Sequence, residues 1–131
     1  MTYYQKTELE EKNHEMIELL KKLNIARPVA LTLVCLSSID KTEITSREIE
    51  RITGLRQPEV SIAMRHLRKN NWIEIREEKK DSGKGRPIKL YNLIVSLDKI
   101  ISNIELEVIS KNTDLLKNIE KFKSMSVNPS L

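Results

Sequence analysis

The 131 residues, 15.2 kDa in all, suit one domain with a helical extension and exclude a large two-domain enzyme. With 39% hydrophobic and 32% charged residues the chain can bury a core and reads as too polar for a membrane protein, while a single cysteine, Cys35, excludes an internal disulfide framework or a multi-cysteine metal site. Charge is uneven: the segment 56–89 holds ten basic and five acidic residues, a net of +5, and the rest of the chain sums to −1, so the positive excess sits where an anionic partner would be met.

The first predicted helix covers about 7–23, where Leu9, Met16, Ile17, Leu20 and Leu23 recur at helical spacing and Asn24 can end the helix in the left-handed conformation. A second starts near Pro28 and is apolar on most sides (Val29, Ala30, Leu33, Val34, Leu36), as a central core helix would be. Cys35 lies in it and reads as a small buried hydrophobe. Thr45 with Glu48 forms a capping box that opens a short helix, about 46–53, with Ile49 and Ile52 inward. Gly54 and Leu55 make a tight turn. Gln57 is the expected cap of the next helix, with Pro58 at its first position, running to about Asn70. Two short helices joined by a Gly-containing turn form a helix-turn-helix.

Residues 72–78 and 88–93 alternate with period two and predict two strands, Ile73 and Ile75 facing one way, and Ile88, Leu90 and Asn92 opposing Lys89, Tyr91 and Leu93. Between them, 79–87 has two glycines, a proline and no apolar residue, the composition of a flexible hairpin tip. A long helix, about 96–122, closes the chain. Leu97, Ile101, Ile104, Val108, Leu115, Ile119 and Phe122 make an apolar stripe broken at Lys111, and 123–131 reads as a frayed tail.

The expected fold is therefore mainly α with a small β-hairpin wing: a winged helix-turn-helix with long N- and C-terminal helices for dimerisation. The segments are an N-terminal helix (1–24), a DNA-binding domain (25–95), a dimerisation helix (96–122) and a flexible tail (123–131). On a helical wheel of 58–70, Val60, Ala63, Met64 and Leu67 gather on a core side, and Pro58, Ser61, Ile62, Arg65 and Lys69 lie opposite. In a major groove Ile62 would pack on a thymine methyl and Arg65 would donate to guanine O6 and N7, with Gln57 and Ser61 reading a base or a phosphate. Arg56, Arg68, Lys69, Lys79 and Lys80 suit phosphates, which set register and carry no sequence information directly, and Arg47 is a further candidate DNA contact. At the tip, Lys84-Gly85-Arg86-Pro87 resembles the Arg-Gly-Arg-Pro core of AT-hook peptides; the physical point is that a narrow A·T minor groove attracts Arg86. A nucleotide-type phosphate loop is excluded there, since Gly83-Lys84-Gly85 is followed by no helix and no Ser or Thr. His14 and His66 join no acidic or cysteine cluster, so neither a metal nor a cofactor is expected.

The stretch 45–93, above all Gly54-Leu55-Arg56-Gln57-Pro58-Glu59-Val60-Ser61 with Gly85-Arg86-Pro87, resembles archaeal winged helix-turn-helix transcription regulators of the broad MarR, ArsR and TrmB company. The resemblance implies a dimer on A·T-rich sites near promoters that recruits the basal transcription machinery. The cysteine pairs of metal-sensing ArsR proteins are absent, and an appended ligand domain of the TrmB kind is not expected. The expectation is a cytoplasmic, nucleoid-associated, sequence-specific regulator of transcription with double-stranded DNA as partner, a homodimer, without membrane contact. The polar segment 1–11 lacks the pattern of a signal peptide. An enzyme is not expected, for want of a nucleophile–base pairing or cofactor loop. The rival reading is a winged-helix protein-interaction module without specific DNA binding.

Overall fold

The computed structural model describes residues 11–79 and 85–127. They divide into two units, one ending at Ser96 and one beginning at Leu97. In the first unit the order is α1 (Glu11–Lys22), α2 (Arg27–Ser38), β1 (Ile44–Thr45), α3 (Ser46–Thr53), α4 (Gln57–Lys69), β2 (Ile73–Glu78) and β3 (Ile88–Leu93); the second holds α5 (Leu97–Val127). The protein is thus mainly helical with a small antiparallel sheet in the order β1-β3-β2, a winged-helix-like arrangement.

Helix α2 forms the centre. Its run from Val29 to Leu36 is buried on every side, which is why the sequence there carries almost no polar residue, and α1, α3 and α4 pack around it. Ile17 and Leu20 of α1 supply the covering face, whereas Leu23 is exposed and Leu9 lies outside the described residues. Asn24 ends α1 with φ of 67°. Cys35 is fully buried within α2. The Thr32 hydroxyl is buried with no hydrogen-bond partner among the described residues. An unmet buried hydroxyl costs roughly 1–3 kcal/mol, so Thr32→Val is expected to raise unfolding free energy by about 1 kcal/mol in urea titration; a loss of stability would mean that the hydroxyl is satisfied.

Helix α3 begins with the capping box. Thr45 Oγ1 accepts from the Glu48 N–H at 3.2 Å, and Glu48 Oε1 accepts from the Thr45 N–H at 3.1 Å. A hydrogen bond from Lys41, then the Thr45 N–H, hold the Glu48 carboxyl below its ordinary value of 4.5. A depressed carboxyl contributes stability that is present above 4.5 and is lost as pH falls through its lowered value. Thr45→Ala removes the cap and is expected to cost ~1 kcal/mol by denaturant titration; no change would show that the box contributes nothing. Gly54, at φ 79°, closes α3 with its N–H on the Glu50 carbonyl at 2.8 Å, and the Thr53 hydroxyl steadies the turn by accepting from the Leu55 N–H at 3.1 Å. A side chain at Gly54 would strain that left-handed backbone.

Three details differ from the sequence reading. The cap of α4 is Arg56, not Gln57: the Glu59 carboxylate accepts from the Arg56 N–H at 3.0 Å, and Pro58 sits one place further in, where its missing N–H is still harmless. The sheet has a third strand, β1, in which Ile44 pairs with Tyr91 and Thr45 with Leu90. On β3 the buried side chain is Tyr91, flanked by Ile44 and Ile75, while Ile88 is exposed.

Helix α5 runs through Val127, five residues past Phe122, so part of the expected tail is helical; Lys123 and Met125 are good helix formers and no proline intervenes before Pro129. Ile104 of its apolar stripe is buried, but Ile101, Leu115, Ile119 and Phe122 are exposed, as are Leu106, Ile109 and Leu116 elsewhere on the helix.

Candidate nucleic-acid interface

Three local features bring the polar residues of the first unit together. The capping box presents Ser46 and Arg47 at the start of α3. The Gly54 turn then sets α4, which buries Val60, Ala63, Met64 and Leu67 as the wheel predicted and leaves Gln57, Pro58, Ser61, Ile62, Arg65 and Lys69 exposed. Asn71, at φ 62°, turns the chain out of α4, and Trp72 is fixed there by its N–H on the Leu67 carbonyl at 3.1 Å and its carbonyl on the Ile94 N–H at 2.9 Å. The β2–β3 hairpin follows, in unbroken register from Ile73–Leu93 to Glu78–Ile88. Gly85, at φ 85°, lies on the returning arm of the wing just before Arg86.

Between α4, the start of α3 and the returning arm lies a cleft of about 620 Å³. Its cations are Arg47, Arg65, Arg68, Arg86 and Lys89, and among the described residues no Asp or Glu lines it. Gln57, Ser46 and Ser61 supply hydrogen-bonding groups, and Met64, Ile75 and Tyr91 form an apolar floor. Burial pushes the Tyr91 phenol up, so it stays neutral. Among the described residues none of the five cations is ion-paired. Cations this close repel one another in the free protein, and a polyanion in the cleft would relieve that repulsion.

Arg76 is different. Its guanidinium holds Glu43 through two bonds of 2.8 Å and reaches Glu78 at 3.1 Å. The hydrogen bond from Arg76 holds the Glu43 carboxyl below its ordinary range, and the two carboxylates raise the already high pKa of Arg76. Part of the positive excess counted along the sequence is therefore neutralised in place, tying β2 to the residue before β1.

Of the sequence-derived site residues, Arg47, Gln57, Ser61, Arg65, Arg68 and Arg86 line this one cleft. Pro58, Ile62 and Lys69 are exposed on α4 without lining it, as are Arg56 at its cap and Lys79 after β2. Ile62, at 57% exposure, is the most exposed large apolar residue of α4. Lys80 and Lys84 lie outside the described residues. Sequence reasoning missed Lys89 and Tyr91, which depend on which face of β3 turns inward, and Ser46, whose place at the first position of α3 follows from the Thr45 cap. Among the described residues no group of three His, Cys, Asp or Glu side chains could hold a metal, and no helix is long and apolar enough to cross a membrane.

No protein-family model matches the chain, and no curated protein matches it. Its fold is similar to the solved structure of a possible transcriptional regulator from Methanosarcina mazei Go1, with a TM-score of 0.61 over 80% of this chain and 85% of that chain, at 16% sequence identity. The two share a mainly helical fold with a small antiparallel sheet; at this identity the likeness concerns the fold.

Proposed function

We propose that the chain is a sequence-specific, double-stranded DNA-binding regulator of transcription that reads an A·T-rich, promoter-proximal site as a homodimer. The observation that carries this is the cleft: among the described residues, five cations without an ion-pair partner and no carboxylate in the lining, with the exposed N-terminal face of α4 alongside. In this reading Ser61, Ile62, Arg65 and Gln57 meet base edges in the major groove. Arg47, Arg56, Arg68, Lys69, Lys79, Lys80 and Lys89 hold phosphates, Pro58 starts the reading helix, and Lys84 with Arg86 reaches an A·T minor groove from the wing. The similarity to a possible transcriptional regulator from an archaeon agrees with it.

Among the described residues the cleft lining has no carboxylate, histidine or cysteine to serve as a base beside its hydroxyls, which supports a binding role over a catalytic one. A winged-helix protein dock would present an apolar patch where this cleft presents cations. The homodimer, formed through α5 and the N-terminal helix, rests on the exposed apolar face of α5. The run from Gly54 to Ser61 with Gly85 to Pro87 resembles EarA, the euryarchaeal activator of the archaellum operon; this makes that operon the first target to test and the basal transcription machinery the partner. The cytoplasm, on the nucleoid, is the matching location.

Fluorescence anisotropy on an A·T-rich duplex at 50 and 200 mM salt tests the reading. Seven phosphate contacts give a log–log slope of about −6.3, or roughly a 6,000-fold loss of affinity over that range. A loss below about threefold would leave the cleft without a polyanion to bind.

A further inference from the structure

Helix α5 carries a charge pattern along its exposed apolar face. Its first half, 97–110, holds Asp98, Lys99, Glu105 and Glu107, a net of −2; its second half, 111–127, holds Lys111, Asp114, Lys117, Glu120, Lys121 and Lys123, a net of +2. Placement sharpens the contrast. Glu105 and Lys123 are eighteen residues apart, about five helical turns, so both stand on one line beside the stripe of Ile101, Leu115 and Ile119. All five of these side chains are exposed.

Val108 and Ile119 lie at almost equal distances from a point beside Asp114, and so do Ile101 and Ser126. The same point bisects Glu105 and Lys123. The break in the stripe, at Lys111 and Asn112, falls next to it, where a polar layer fixes register at some cost in stability.

From this juxtaposition we infer that two copies of α5 pair antiparallel about a two-fold axis near Asp114. Val108 of one copy then packs against Ile119 of the other, and Glu105 lies beside Lys123 of the partner subunit. A two-fold pair makes every such contact twice. The overlap runs from Ile101 to Val127, about 40 Å of helix. The end of each described helix stops opposite Ile101, short of the first residues of its neighbour's α5. A parallel pair would instead set acidic half on acidic half and basic on basic, and charged flanks of coiled helices decide orientation. This rests on the homodimer proposed above and adds its geometry.

Sedimentation equilibrium of the full chain at 50 mM salt tests it. Glu105→Lys and Lys123→Glu are each expected to weaken self-association about tenfold, since each reversal turns two attractions into repulsions. The double variant is expected to return to within about threefold of the wild type, which a misfolded chain could not do. Cysteines placed as Val108→Cys in one chain and Ile119→Cys in another should form a disulfide with each other in preference to their own kind. A dimer indifferent to either reversal, or weakened by both without rescue, overturns the antiparallel pairing and leaves the homodimer standing. A wild-type chain that is monomeric throughout overturns both.

Discussion

Arg65→Ala is expected to lower affinity for the preferred duplex by ~1–3 kcal/mol and to relax base preference at one position. Arg65 lies one turn after Ser61 on α4, is exposed, and has no ion-pair partner among the described residues, so its planar fork is free to meet two acceptors on one guanine. Met64 and Leu67 on either side are buried and fix the rotation of the helix, so Arg65 cannot turn away without unpacking the core. Competition binding with a panel of single-base variants separates the outcomes. Loss of discrimination at one base pair is expected; equal weakening on every duplex would make Arg65 a phosphate contact and remove base reading from it.

Arg68→Ala with Lys89→Ala is expected to act in the opposite way. Both line the cleft, one from α4 and one from β3, and both are exposed and without an ion-pair partner among the described residues. If each neutralises one phosphate, the double variant binds all duplexes roughly 10- to 100-fold more weakly at low salt, with a log–log salt slope shallower by about 1.8. Base preference should survive. An unchanged slope would take the phosphate strand out of the cleft and place it on the outer residues Arg56, Lys69 and Lys79.

Much of this arrangement was legible in the sequence because local chemistry dictates it. The Thr45–Glu48 box, the glycine at 54 and the helical spacing of Val60, Ala63, Met64 and Leu67 each fix a backbone conformation within a few residues. The wing strands followed from period-two alternation. What was not legible depends on distant partners. Strand β1 is two residues long, too short to show a period, and exists because β3 offers an edge to Ile44 and Thr45. Alternation divided β3 into two faces but could not say that Tyr91 turns inward and brings Lys89 to the cleft with it. Arg76 counted as part of a basic segment, yet Glu43, 33 residues away, holds it. No spacing rule connects the two. The burial of Ile104 within an otherwise accessible stripe was equally invisible to a heptad count.

The cleft between α4 and the returning arm of the wing is expected to receive DNA. Amide chemical-shift mapping during titration with an A·T-rich duplex tests it most directly. The largest shifts are expected at Ser46, Arg47, Gln57, Ser61, Arg65 and Lys89. Saturating binding that leaves these six amides in place and moves residues of α1 or the distal half of α5 would contradict it.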